Sequence, residues 1–118
     1  MISSCYSGVK VYLAPGVTDM RKAINGLSIL VQDEMELDPF SGHLFAFCNR
    51  KRDIVKILYW DLNGFCLWQK RLEREKFKWP ESRQEVLSLD MRQLSWLMDG
   101  LSIRQHEAHV RLQYTTAF

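Results

Sequence analysis

The sequence predicts an α+β fold, in which a small antiparallel β-meander of about four to six strands packs with two amphipathic helices. Two stretches repeat apolar residues at helical spacing, and three β-rich segments follow one another between short turns. The 118 residues, 47% hydrophobic and 25% charged, have the composition of an ordinary globular protein. We expect one compact domain over residues 1–103 and an extended or loosely ordered tail over 104–118.

The first third of the chain predicts a strand followed by a helix. Residues 9–13 are β-rich and are stopped by a Pro-Gly turn signal. Thr18 or Asp19 is expected to cap the helix, because their side chains can accept hydrogen bonds from the first free amides. Apolar residues recur at helical spacing over 20–35, and the helix is expected to stop at Asp38-Pro39, since the residue before a proline avoids helical geometry.

Three strands are expected next, at residues 44–48, 54–60 and 65–72. The last junction contains Asn63-Gly64, a pair that readily supplies the positive φ values of a tight hairpin. Pairing across this hairpin assigns each side chain to one of two faces. The face expected to be core carries Val55, Ile57, Tyr59, Cys66, Trp68, Lys70 and Leu72, and the mixed face carries Lys56, Leu58, Trp60, Leu67, Gln69 and Arg71.

The C-terminal third predicts an edge strand, a short strand and a second helix. Residues 76–79 alternate lysine with an aromatic residue, which is the period of a half-buried edge strand. Residues 86–89 indicate another short strand. Asp90 and Gln93 have the spacing of a capping box, and Gly100 stands where a left-handed helix cap is expected.

Composition and motifs exclude several classes of protein. The three cysteines form no Cys-x-x-Cys pair, so neither a disulfide framework nor a cysteine zinc site is indicated, and a reducing cytoplasm fits best. No signal peptide, membrane-spanning run or phosphate-binding loop is recognisable. His106 and His109 are three residues apart, so a helix would place them on one face as possible metal ligands, but no helix is predicted there. We expect no metal, cofactor, membrane contact or small-molecule substrate.

A metal-dependent nuclease would need acidic side chains that converge on one metal ion. The nearest candidates are Asp53, Asp61, Glu73 and Glu75. Asp53 and Asp61 stand at the two ends of one expected strand, roughly 25 Å apart at about 3.3 Å per residue, which is too far for a shared ion. We therefore expect a protein without catalytic activity, and keep a nuclease as the alternative.

The formal charge of +2 conceals a local excess, because residues 50–78 hold nine basic and four acidic side chains. Aromatic residues lie between these cations, as in surfaces that follow a nucleic-acid backbone. A solvated face above an aromatic core explains the pattern nearly as well. The two cations at the expected start of the first helix favour a nearby anion, either a phosphate or a carboxylate of this fold. The candidate nucleic-acid contacts are Arg21, Lys22, Arg50, Lys51, Arg52, Lys56, Lys70, Arg71, Arg74, Lys76 and Lys78.

Several blocks occur in a fixed order between residues 8 and 101. They are Gly16-Val17-Thr18-Asp19-Met20-Arg21-Lys22, Gly26-Leu27, Asp38-Pro39-Phe40-Ser41-Gly42-His43-Leu44-Phe45, Lys56-Ile57-Leu58-Tyr59-Trp60-Asp61, Asn63-Gly64-Phe65, Lys70-Arg71-Leu72-Glu73 and Phe77-Lys78-Trp79-Pro80. Through these blocks the chain resembles the accessory protein TnpB of insertion-sequence family 66, the product of the element's second open reading frame, which is distinct from the RNA-guided nuclease of the same name. The resemblance implies a bacterial mobile element and a separate, larger transposase that carries the catalytic acids.

The residues and the resemblance together predict a non-catalytic accessory protein for transposition, located in the bacterial cytoplasm. We expect it to bind DNA at the element ends, the transposase, or both. Two alternatives remain: a nuclease or other phosphodiester-processing enzyme, and a purely protein-binding structural module. The oligomeric state is left open.

Overall fold

The computed structural model describes residues 8–81 and 84–103. Its elements are β1 (Val11–Leu13), α1 (Ile24–Asp33), β2 (Leu44–Cys48), β3 (Ile54–Asp61), β4 (Gly64–Arg71), β5 (Leu87–Leu89) and α2 (Met91–Met98). The strands form one five-stranded sheet in the order β4-β3-β2-β1-β5. A five-stranded sheet with two helices confirms the predicted α+β class. The predicted tail over 104–118, with His106 and His109, lies outside the described residues.

The sheet is mixed rather than wholly antiparallel. β2, β3 and β4 form the predicted antiparallel meander. β1 runs parallel to β2, because α1 carries the chain from the end of β1 back to the start of β2, as a crossover between parallel strands must. β5 then pairs antiparallel with the free side of β1. The meander therefore accounts for three of the five strands.

The β3–β4 hairpin pairs in the register that places the predicted core side chains on one face. Asp61 pairs with Gly64, so the loop contains two residues, Leu62 and Asn63. The positive φ lies at Leu62, with a value of 53°, so the prediction that Asn63-Gly64 supplies it was wrong. A leucine in this left-handed region is less stable than glycine there by about 1 kcal/mol.

Helix α1 begins at Ile24, later than predicted, and no side chain caps its first turn. Thr18 is instead buried, and its N–H donates to the carbonyl oxygen of Cys48 at 2.9 Å, which ties this segment to the end of β2. The prediction of Thr18 or Asp19 as the cap was therefore wrong. The helix also ends before the predicted Asp38-Pro39 stop, and Glu36 beyond it has a φ of 56°.

The two helices cover opposite faces of the sheet. The face toward α2 buries Val11, Leu13, Leu44, Ala46, Cys48, Val55, Ile57, Phe77, Trp79, Leu89, Leu94, Leu97 and Met98. The face toward α1 buries Ala14, Leu27, Val31, Met35, Phe45, Phe47 and Leu58. Since both faces are covered, β2 is buried at every position, which explains its unbroken apolar sequence.

The segment 76–80 packs onto the α2 face without forming a strand. Phe77 and Trp79 are buried, while Lys76 and Lys78 are exposed, so the predicted alternation holds. The predicted edge strand is absent from this segment, which is attached by single contacts such as the Phe77 N–H donating to the carbonyl oxygen of Arg52 at 2.7 Å.

Helix α2 begins with the predicted capping box. The Asp90 carboxylate accepts from the Gln93 backbone N–H at 2.8 Å, and the Gln93 side-chain oxygen accepts from the Asp90 N–H at 3.0 Å. Gly100 follows the helix with a φ of 81°, as predicted for a left-handed cap.

We expect Asp90→Ala to lower the free energy of unfolding by about 1 kcal/mol, because it leaves an amide of the first turn of α2 without its partner. Urea unfolding followed by circular dichroism measures the change. The matched control is Asp33→Ala at the last residue of α1, where a carboxylate faces the negative end of the helix dipole and its loss should not destabilise. Equal destabilisation by both variants would contradict the capping role.

Candidate nucleic-acid interface

A groove of about 700 Å³ opens at the end of the sheet where β1, β2 and β4 finish and β3 starts. Three segments line it: residues 17–21 after β1, the β2–β3 turn with the start of β3, and the last residue of β4. We call it the basic groove, because four cationic side chains line it against two carboxylates. The cations are Arg21, Arg50, Lys51 and Arg71, and the carboxylates are Asp19 and Asp53.

The β2–β3 turn is organised by the side chain of Asn49. Its amide oxygen accepts from the N–H groups of Asp53 and Ile54 at 3.1 Å each, and its NH₂ group donates to the Asp53 carboxylate at 2.6 Å. Arg52 closes the turn with a φ of 60°. The sequence analysis did not predict this role of Asn49. The available signal was the pair Asn49 and Asp53 on either side of a basic turn, because such side chains often bond to the backbone of a turn. The exposed side chains at the tip of the turn are Arg50 and Lys51.

Arg21 has its anionic partner within this fold. The Arg21 Nη2 lies 2.7 Å from the Asp19 carboxylate, and the Arg21 backbone N–H donates to the same carboxylate at 2.9 Å. The side-chain hydrogen bond from Arg21 is the main cause that lowers the pKa of Asp19 to about 2. The sequence left either a phosphate or a carboxylate of this fold as the partner of these cations. For Arg21, the fold itself supplies a carboxylate, that of Asp19. The Arg21 side chain nevertheless stays 91% exposed.

Lys56 is a structural residue rather than the surface contact expected from the sequence. Its side chain points from β3 toward the α1 face and is 9% exposed. The ammonium donates to the carbonyl oxygens of Met20 and Lys22 at 2.8 and 2.9 Å. These bonds replace the water that burial removes, and they hold the segment that carries Arg21 against the sheet.

Two further predicted contacts also have partners inside the fold. The Lys70 ammonium donates to the carbonyl oxygen of Met98 at 2.8 Å, at the C-terminal end of α2, where a cation is favoured by the helix dipole. The Arg52 guanidinium donates to the carbonyl oxygen of Trp79 at 3.3 Å and so holds the 76–80 segment.

A second groove, of about 1390 Å³, lies on the α2 side and has no excess of cations. The two predicted lysines of the 76–80 segment line it together with Arg52 and several acids. Its carboxylates are Glu75, Glu81, Glu85 and Asp99. Arg74 and Lys22 are exposed but line neither groove. The basic stretch 50–78 is therefore not one surface, and only part of it contributes to the basic groove.

The aromatic residues predicted to accompany the cations lie elsewhere. Tyr59, Trp68 and Phe77 pack in the core beneath α2, and Trp60 and Phe65 lie at the opposite end of β3 and β4. Among the described residues that line the basic groove, none is aromatic. The groove thus offers charge for phosphates but no platform on which bases could stack.

Asp53 and Asp61 lie at opposite ends of β3, as predicted. Within residues 8–81 and 84–103, no group of three or more His, Cys, Asp or Glu side chains could hold a metal ion. Burial raises the pKa of the Cys48 thiol to about 11, so it is a poor nucleophile. Neither helix in the described part of the chain has the length and apolar character needed to cross a membrane.

Comparison with known proteins identifies the family. The chain matches the family described as "IS66 Orf2 like protein" over residues 9–108, and it belongs to that family. It is similar to two proteins of Sinorhizobium fredii. Uncharacterized protein y4hO is 38% identical over 96 residues, which cover 81% of this chain and 84% of the relative. Uncharacterized protein y4jC is 33% identical over 94 residues, which cover 80% of each. No solved structure matches.

Family membership confirms the resemblance found in the sequence. It makes the chain a transposition-associated accessory protein of a family with no known catalytic activity.

We expect the Asp19 carboxyl to titrate with a pKa of about 2, and Arg21→Ala to return it toward 3.8. Because the pKa is lower in the folded state, the ion pair stabilises the fold above about pH 4 and this contribution is lost as the pH falls through 2. Carboxyl-carbon NMR across an acid titration measures both values, with Arg92→Ala on α2 as the control. If the pKa of Asp19 is the same in Arg21→Ala as in the wild type, the Asp19–Arg21 ion pair is not the cause of the low pKa.

Lys56→Met should lower the free energy of unfolding by about 1–2 kcal/mol, since it keeps the apolar stem but removes two charged hydrogen bonds. Hydrogen exchange should also become faster at the amides of residues 18–23. The matched control is Lys51→Met at the exposed turn tip, where we expect a change within about 0.5 kcal/mol. The anchoring role fails if exchange in this segment is the same in both variants.

Proposed function

We propose that this protein binds duplex DNA at the ends of its element through the basic groove, as a non-catalytic component of the transposition complex. The observation that carries the proposal is the convergence of four cationic side chains from three separate segments in one groove. Membership in a transposition-associated family supplies the setting in which a DNA contact has a use.

The form of the groove supports contact with phosphates. The Asn49 hydrogen bonds order the turn before any ligand arrives, so less entropy is lost when Arg50 and Lys51 engage an anion. Arg21 and Arg71 already pair with Asp19 and a neighbouring glutamate, but both arginine side chains remain largely exposed. Exposed ion pairs contribute little in water, so a phosphate can compete for these guanidinium groups.

The groove favours the backbone of a duplex over the bases of a single strand. Charge without stacking platforms gives binding that depends steeply on salt and weakly on sequence. Contacts of this kind alone typically give dissociation constants of about 10⁻⁴ to 10⁻⁶ M at physiological salt. Such an affinity suits an accessory protein that acts beside other DNA contacts in one complex. Asp53 and Asp61 at opposite ends of β3 give no support to a nuclease.

We expect the double variant Arg50→Ala/Lys51→Ala to weaken binding of element-end duplex DNA and to reduce the slope of log K against log salt by about 2. The physical reason is that each removed phosphate contact no longer releases a counterion. Fluorescence anisotropy over a salt series, beginning at low salt, measures both quantities.

The matched control is Lys76→Ala/Lys78→Ala, which removes the same charge from the second groove. This control should change the slope far less. Equal effects of the two double variants would show that net charge rather than the basic groove governs binding. If the wild-type protein does not bind DNA even at low salt, the proposal of direct DNA contact is wrong.

A further inference from the structure

Three aromatic rings form a cluster at the end of the sheet opposite the basic groove. Phe40 comes from the loop after α1, and Trp60 and Phe65 come from the β3–β4 hairpin. The ring centroids lie 5.0 to 5.2 Å apart in all three pairs. Phe40 is 56% exposed. We call these three residues, together with Leu62 of the hairpin loop, the aromatic tip.

Leu62 is unfavourable in its position for two independent reasons. Its side chain is 92% exposed, and its backbone has a φ of 53°, which favours glycine or asparagine. A residue that breaks both local rules at the end of a hairpin is poorly explained by folding. It is well explained by binding, because a projecting apolar side chain becomes an anchor once a partner buries it.

The aromatic tip has an acidic surround. Asp38 adjoins Phe40 in the same turn, where its carboxylate accepts from the Phe40 N–H at 2.9 Å, and Asp61 stands between Trp60 and Leu62. Residues 23–49 contain four acids, and residues 57–69 contain one, with no lysine or arginine in either range. Two cations also lie at this end of the sheet but farther from β3: Lys10 beside β1 and Arg92 in the first turn of α2, which follows β5.

The negative charge around the aromatic tip favours a cationic protein segment over nucleic acid as its partner. Negative side chains around an apolar centre repel nucleic acid and attract a cationic segment. The aromatic tip and the basic groove are separated by the length of β3, which is roughly 25 Å at about 3.3 Å per residue. Ligands at the two ends therefore do not compete for space.

We propose that the aromatic tip docks a positively charged segment of a partner protein in the transposition complex, with an apolar side chain of that segment packed against Leu62 and the rings. This inference does not depend on DNA binding by the basic groove. Charge complementarity and the exposed Leu62 anchor both favour a cationic, apolar-anchored segment.

The test is binding of the purified transposase of the same element, in the absence of DNA and after nuclease treatment. Leu62→Asn removes the anchor, and it should keep the fold because asparagine tolerates the left-handed backbone. We expect this variant to bind at least about tenfold more weakly than the wild type while its thermal stability is equal or higher. Asp61→Asn should weaken binding mainly at low salt.

The matched control is Ile29→Asn, which removes a 57% exposed apolar side chain from α1, away from the tip, and should leave binding unchanged. Absence of transposase binding, or equal binding by Leu62→Asn and the wild type, would overturn the proposal. Self-association that Leu62→Asn abolishes would assign the tip to a second copy and would also overturn it. DNA binding by Leu62→Asn should match the wild type, which separates this test from that of the basic groove.

Discussion

The ammonium group of Lys56 holds the connection that carries Arg21 against the sheet, together with the hydrogen bond from the Thr18 N–H to Cys48. Lys56 lies on an interior strand, and its two bonds to the carbonyl oxygens of Met20 and Lys22 hold the chain between β1 and α1 close to β3. Helix α1 begins at Ile24, directly after this anchored segment. The basic groove depends on the same contact, since its first wall is the anchored segment.

Local patterns predicted much of this fold, and long-range contacts explain what they missed. The Asp90 capping box and the two faces of the β3–β4 hairpin depend on residues close in sequence, and both were predictable. The start of α1 was not, because the chain just before it makes long-range contacts with Cys48 and Lys56 that no local pattern reveals. The candidate site was half predictable: basic residues were evident, but only the fold shows that Arg71 joins Arg21 while the Lys76 region faces other acids.

Within residues 8–81 and 84–103, the two ends of the sheet differ in charge. Cations gather where β3 begins, and carboxylates surround the rings where it ends. A protein with this polarity orients itself in the field of a nucleic acid before contact, with its acidic end directed away. If each end makes only a weak contact, joining them in one rigid body still gives firm attachment, because the second contact forms at high effective concentration.

The pairing of β5 with β1 joins the two extremes of the sheet's sequence, since Val11 stands opposite Leu89. During synthesis, β1 can gain its parallel neighbour as soon as β2 has been made, but its other edge stays open until residues 87–89 leave the ribosome. A message truncated before that point yields a chain with a bare strand edge and no α2 over one apolar face. Truncation before residue 87 therefore exposes a strand edge and an apolar face of the sheet at the same time, and both are features that promote aggregation.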